Sequence, residues 1–259
     1  MRKRSIVRLV TLLLVPLAAL GAGVVAATNA NAIANGEVVP EGRYRFSVKL
    51  TMTGIPTADG GRRNSACSGA LIAPQWVLTA GHCFRTFDGT RVEYPVADLT
   101  TATVGRADLG GTNGVVRTVV AVRQSPTNDV SLAKLDQPVT GIQPLEISRT
   151  APDVGDTVRL TGYGSVTSTN PTPSTLLRTG QLTVSEVTTS TYLMTGFSPQ
   201  PDTTPCPYDS GGPYFVESRH RAPRVVAVVS FGPSCPHTAQ ETAARVDNIR
   251  AWIWTAIHA

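Results

Sequence analysis

Histidine and cysteine are scarce. The 259 residues hold four of each, and no two cysteines form a CxxC pair, so the usual zinc-site signature is missing. Beyond residue 32 no stretch approaches the ~20 apolar residues that would span a bilayer. No unit recurs at a fixed period, which excludes solenoids and propellers. Excess charge is missing too, once the first segment is set apart.

That segment reads as a cleaved secretion signal over residues 1–32. MRKR opens it with three positive charges, IVRLVTLLLVPLAALGAGVV follows as an apolar run, and Ala30-Asn31-Ala32 offers a small-x-small cleavage site. The alternative is a membrane anchor; Arg8, Pro16 and the small residues at the end of the run argue against it. The segment carries Arg2, Lys3, Arg4 and Arg8 and no acid, so its removal takes the formal charge from +5 to +1. Nucleic-acid binding thereby loses its electrostatic support. The 227 residues left of 259 are ample for a sizeable core.

In a secreted chain the even cysteine count implies two disulfides among Cys67, Cys83, Cys206 and Cys235, with three pairings open. Short β-type runs alternate with turn residues: FSVKLTM (46–52), WVLTA (76–80), TATVG (101–105), VVRTVVAV (115–122), VSLAKL (130–135), TVRLTGYG (157–164), TGQLTVSEV (179–187) and VVAVVSFG (225–232). Many short strands with Gly, Pro, Asn and Asp between them predict an all-β barrel or sandwich. VTSTNPTPST (166–175) reads as an exposed loop. One helix is expected, at the C-terminus. Ile249, Trp252, Ile253, Ala256 and Ile257 form a single apolar stripe, with Asp247 or Asn248 as its cap.

Chemistry concentrates around CPYDSGGPYF (206–215), where Ser210 sits in a turn between an acid and two glycines. A serine hydroxyl needs a base within reach, and the base needs an orienting acceptor. His220 and His237 lie in polar, turn-rich stretches and His258 at the chain end. His82, between an apolar β run and Cys83, is the candidate base; a buried structural histidine is the alternative. Asp129 and Asp136, at either end of one apolar run, are equal candidates for the acid on local grounds, and each is equally a turn cap.

LTAGHC (78–83), NDVSLAKL (128–135) and DSGGP (209–213) occur in that order. With IANG (33–36), TGYG (161–164), SFG (230–232) and the terminal helix, they make the chain resemble the trypsin/chymotrypsin family of secreted serine peptidases from Ile33 onward. The resemblance implies two packed six-stranded antiparallel β-barrels, about 33–145 and 146–245, a C-terminal α-helix at about 247–258, and a single peptidase domain over 33–259. It makes His82 the general base, Asp129 its orienting acid and Ser210 the nucleophile, with the N–H groups of Tyr208 and Ser210 as oxyanion hole. Gly211 and Gly212 keep bulk away from the turn. It pairs Cys67 with Cys83 and Cys206 with Cys235. It also implies that a freed Ile33 terminus pairs with Asp209 to order the site; Ala32 abuts Ile33, so signal cleavage itself would create that terminus, and a short propeptide is the rival if cleavage falls earlier, near Ala26.

The likeness thins at the specificity pocket. Thr204 stands at the floor position, where trypsin-like members carry aspartate. Ser230, Phe231 and Gly232 are expected along one wall, with Phe231 replacing the usual tryptophan. With Thr204 a lysine or arginine preference is not supported; Glu241 falls where a pocket-wall glycine normally sits, and its carboxylate, if turned inward, would restore some basic preference, a solvated loop glutamate being the other reading. Tyr208 replaces a glycine that usually precedes the nucleophile by two. The resulting expectation is a secreted, monomeric serine endopeptidase acting on peptides or proteins. It is open to protein inhibitors and needs no metal or organic cofactor. A non-cleaving binding homologue and an esterase on the same triad are the rival classes.

Overall fold

A computed structural model describes residues 32–218 and 221–259. The expected leader, apart from Ala32, and His220 lie outside the described residues. The first strands are β1 (Glu37–Val38), β2 (Ser47–Pro56), β3 (Arg62–Ala73) and β4 (Trp76–Ala80). A single 3-10 turn (Gly81–Cys83) separates them from β5 (Leu99–Val104), β6 (Val115–Gln124) and β7 (Val130–Leu135). β2, β3, β4, β7, β6 and β5 close into one antiparallel barrel.

The second half holds β8 (Glu146–Ile147), β9 (Thr157–Gly162), β10 (Arg178–Val187), β11 (Thr191–Ser198), β12 (Pro213–Ser218), β13 (Arg221–Phe231) and β14 (Glu241–Arg245). Here β9, β10, β11, β14, β13 and β12 pair in a ring, because β9 bonds both β10 and β12. This is the chymotrypsin fold. β1 adds to the second barrel on β10, and β8 runs parallel to β13.

Closure leaves neither barrel with a free edge across its ring, and each interior is filled. Val48, Leu50, Leu71, Val77, Val104 and Leu135 pack inside the first. Leu160, Leu182, Tyr192, Met194, Tyr214 and Val226 pack inside the second. Between them Leu78 and Leu132 of the first barrel meet Phe215 and Val228 of the second, and Ile249, Ile253 and Ala256 cover the seam. The helix, α1 (Arg250–His258), thus clamps both barrels along its expected stripe.

Its expected cap is corrected. Ile249 occupies the cap position with no side-chain bond. Asp247 instead pairs with Arg245 and accepts from the Tyr192 hydroxyl, while Asn248 is held between Asn128 and Thr189. Tertiary partners outcompete the helix's own N–H groups for these two side chains. Both disulfides pair as the resemblance implied, Cys67 with Cys83 and Cys206 with Cys235.

Candidate active site

Strand register brings the first two groups together. β4 and β7 run antiparallel with Ala80 opposite Val130, so the residues just past β4 meet those just before β7. His82 lies on the 3-10 turn that follows, and Asp129 grips it twice. The His82 backbone N–H donates to Asp129 Oδ1 at 2.9 Å, and Oδ2 lies 2.8 Å from ring Nδ1. Ser230 Oγ donates to the same Oδ2 at 2.7 Å, and the Arg85 guanidinium stands 3.7 Å from Oδ1. Burial alone would raise the Asp129 pKa. The His82 bond and charge and the Ser230 hydroxyl outweigh it and hold the carboxyl below its ordinary value. His82 is not buried: 39% of its side chain is open to solvent. Asp136 is a turn cap, accepting the N–H groups of Thr118 and Gln137.

Ser210 sits in the turn between Cys206 and β12. The turn is knotted by Asp209 N–H to Cys206 O at 3.0 Å and Gly212 N–H to Asp209 O at 2.8 Å. It is docked on the first barrel by Ser68 N–H to Ser210 O at 2.9 Å. Gly211 has φ +81°, and a Cβ there would collide with Thr79 and Ser68, so only glycine lets the barrels approach this closely. Ser210 lines two cavities at once. One, of about 290 Å³, also has His82, Tyr208 and the Cys67–Cys83 bridge in its wall. The other, of about 380 Å³, is bounded by Ser230, Phe231, Gly232 and Glu241. Among the described residues the Ser210 hydroxyl and the backbone N–H groups of Tyr208 and Ser210 make no hydrogen bond.

The trypsin family's sequence model matches residues 33–253. The chain belongs to the trypsin family. Serine protease SP24D of Anopheles gambiae is 28% identical over 240 residues, 87% of this chain and 81% of that protein. Human kallikrein-14 is 27% identical, over 60% of this chain and 61% of that one. The proclotting enzyme of Tachypleus tridentatus is 26% identical, over 80% of this chain and 61% of its own length.

Beneath the Ser210 turn of this trypsin-family chain, Asp209 is fully buried. Its carboxylate accepts Gly164 N–H at 2.7 Å, Cys206 N–H at 3.0 Å and Ile33 N–H at 3.3 Å. Burial pushes its pKa up to about 6, against those N–H bonds and the charge of Lys49. Lys49 is itself buried in β2, donates to Tyr163 O at 2.9 Å, and is pushed down to about 8 by burial, with Asp209 opposing. Tyr208 has φ +75°, in the left-handed region that disfavours a Cβ. Ser68 Oγ holds its carbonyl at 3.2 Å, and its hydroxyl reaches toward Pro171 O at 3.4 Å.

The expected pocket residues divide. Ser230, Gly232 and Glu241 line the second cavity, and Phe231 stands at its mouth, 67% exposed. Glu241 turns inward and is 2% exposed, so the solvated reading is corrected. Thr204 is fully buried and bridged to Ala34; Pro205 and Cys206, not Thr204, line the cavity. Three partners had escaped the sequence reading. Ser230 was expected in the pocket wall, not on Asp129. Lys49 could have been noticed as a lone cation inside an apolar strand. His237, passed over as a turn residue, bonds Glu241.

Proposed function

We propose that this chain is a secreted serine endopeptidase in which Ser210, His82 and Asp129 work as a triad. The observation that carries the reading is the double grip of Asp129 on His82 at the rim of a cleft that Ser210 lines. With Nδ1–H donated to Asp129, His82 presents Nε2 as the base. Substrate closing the cleft brings Ser210 Oγ under Nε2, since such contacts tighten only when substrate is bound. Nε2 takes the hydroxyl proton as Oγ attacks the peptide carbonyl. The oxyanion that forms is received by the unoccupied N–H groups of Tyr208 and Ser210. The proton then passes to the leaving amine, an acyl-enzyme remains, and water repeats the cycle in reverse.

Asp129 is held ionised at neutral pH, so it stabilises the imidazolium at each tetrahedral stage. Substrates are peptides or proteins, and protein inhibitors that fill the same cleft are expected partners of the monomer. Two disulfides suit an extracellular setting, and no described helix is long and apolar enough to cross a membrane. Covalent labelling by a fluorophosphonate, lost in Ser210→Ala, tests the triad. Cleavage of matched amide and ester substrates by the unlabelled protein separates a peptidase from an esterase. A chain that neither labels nor cleaves is a binding homologue.

A further inference from the structure

A groove between α1 and the segment joining the two barrels shares no lining residue with the cavities at Ser210. It holds about 540 Å³. β8, running parallel to β13, forms one side of it and α1 the other. Its floor is made by Ile72, Ile147 and Ile257, which pack on the core at the seam yet stay half-buried. Trp254 stands beside them, 62% exposed, its ring against His258 with centroids 4.0 Å apart. A lone exposed apolar side chain is ordinary. A concave group of them marks a surface that another molecule covers.

The charges around this floor say what kind of molecule. Arg149, Arg224, Arg250 and Glu146 rim the groove. Glu146 is committed to Arg224, 3.3 Å away. Arg149 and Arg250 are exposed and make neither an ion pair nor a hydrogen bond among the described residues. The rim thus carries two positive charges in excess, three arginines against one glutamate, whereas residues 33–259 as a whole carry +1. Arg250 also opens α1, whose first turn holds no acid and whose cap residue, Ile249, makes no side-chain bond. A cation at that end adds to the positive pole of the helix, an arrangement that an incoming anion relieves. The leader of this chain cannot be that anion, since it carries Arg2, Lys3, Arg4 and Arg8 and no acid.

We propose that this groove docks an acidic peptide segment of a partner protein. Carboxylates of the segment meet Arg149 and Arg250, and an aliphatic or aromatic side chain lies on Trp254 and the isoleucine floor. The two contributions divide the work. Exposed ion pairs add little affinity singly but orient the segment and steer its approach. Covering the tryptophan ring and the isoleucines supplies the hold. The apolar floor is also what selects a peptide over a sulfated polysaccharide, which would engage the arginines and leave Trp254 bare. The proposal stands on the groove alone and does not depend on the endopeptidase reading. A segment bound there would leave the Ser210 cavities open.

The probe is an octapeptide of alternating glutamate and leucine, blocked at both ends. It is titrated by calorimetry into the Ser210→Ala protein, which cannot cleave it. Binding is expected with a Kd on the order of 10–100 μM at about 50 mM salt, and about tenfold weaker at about 500 mM. The double variant Arg149→Ala, Arg250→Ala and the single variant Trp254→Ser should each weaken it by about tenfold or more. All three side chains are exposed, so Tm should not move. Replacing the peptide's leucines by serine, or its glutamates by lysine, should abolish binding, and these two peptides decide the matter if a protein variant fails to fold. Binding that survives both protein variants lies elsewhere, the Ser210 cleft included, and overturns the proposal. So does the absence of binding at about 1 mM peptide. A heparin fragment that binds through the arginines, is indifferent to Trp254→Ser and is not displaced by the peptide would assign the face to a polysaccharide. Self-association of the protein that is lost in the double variant would assign it to a second copy. Either result overturns the peptide reading.

Discussion

The Ile33 backbone nitrogen meets Asp209 Oδ2 at 3.3 Å, although the two stand 176 residues apart. In the uncleaved chain the donor is a neutral amide, and 3.3 Å is long beside the ~2.7–2.9 Å of a charge-assisted bond. Cleavage before Ile33 would replace it with an ammonium beside a fully buried carboxylate. An opposite charge at that distance favours the ionised acid, so the Asp209 pKa should fall from about 6. Protein starting at Ile33 is expected to be active, and protein with residues fused before it nearly inactive until trimmed. Sequencing the N-terminus of active secreted enzyme checks this; a terminus other than Ile33 contradicts it.

Asp129→Asn should leave the fold intact and reduce kcat by about 10⁴-fold at neutral pH. The asparagine amide would offer N–H to ring Nδ1 and so favour the tautomer with its proton on Nε2, where the base must be free. A loss below tenfold would show that Asp129 does not set the His82 tautomer. The Ser230 bond to the same oxygen supplies a milder companion test. Ser230→Ala removes one hydrogen bond to the carboxylate and should raise the Asp129 pKa toward its ordinary value.

Local pattern made much of this legible. WVLTA and VSLAKL are the strands Trp76–Ala80 and Val130–Leu135 to the residue, because continuous β-branched and apolar runs bounded by turns have few other uses. β3, β11, β12 and β14 carry no such mark. β3 opens with exposed Arg62-Arg63-Asn64, and β12 begins at Pro213. Their pairing is decided by barrel closure. The proposed triad was legible because its three motifs occur in order along the chain. The Ser230–Asp129, Lys49–Tyr163 and Gly164–Asp209 contacts join residues 101, 114 and 45 apart, and no spacing announces them. The inward turn of Glu241 follows from its register on β11, which its neighbours in the chain do not encode.

The buried acids make stability fall as pH rises. Asp209 and Glu241 have folded pKa values raised from 3.8 and 4.5 to about 6 and about 8. Each favours the fold in its protonated form. That contribution is fully present below the ordinary values and is lost as pH climbs through the raised ones. In Ser210→Ala protein that keeps residues fused before Ile33, where the donor to Asp209 is still a neutral amide and autolysis is prevented, Tm should drop by roughly 5–10 °C between pH 5 and pH 9. Adding Glu241→Gln should flatten the curve above pH 6. An unchanged slope in that variant would show that Glu241 titrates at an ordinary pH.

Tyr208 is the residue whose conformation and chemistry pull apart. Its φ of +75° suits glycine, yet Ser68 Oγ pins its carbonyl and the Asp209–Cys206 and Gly212–Asp209 bonds fix the turn on either side. The backbone is therefore already in place, its N–H uncommitted, and Tyr208 lines the His82 cavity. Tyr208→Gly relieves about 1 kcal/mol of left-handed strain and removes that wall. The kcat on a short amide substrate should change by less than about threefold, since losing or gaining an oxyanion donor would show as 10²–10³. A broad protein inhibitor, which fills the cleft rigidly, should bind the variant more tightly than it binds wild type. A large rise in kcat would mean instead that the tyrosine holds its N–H away from the oxyanion. Unchanged inhibition would mean that the ring does not bar the cleft.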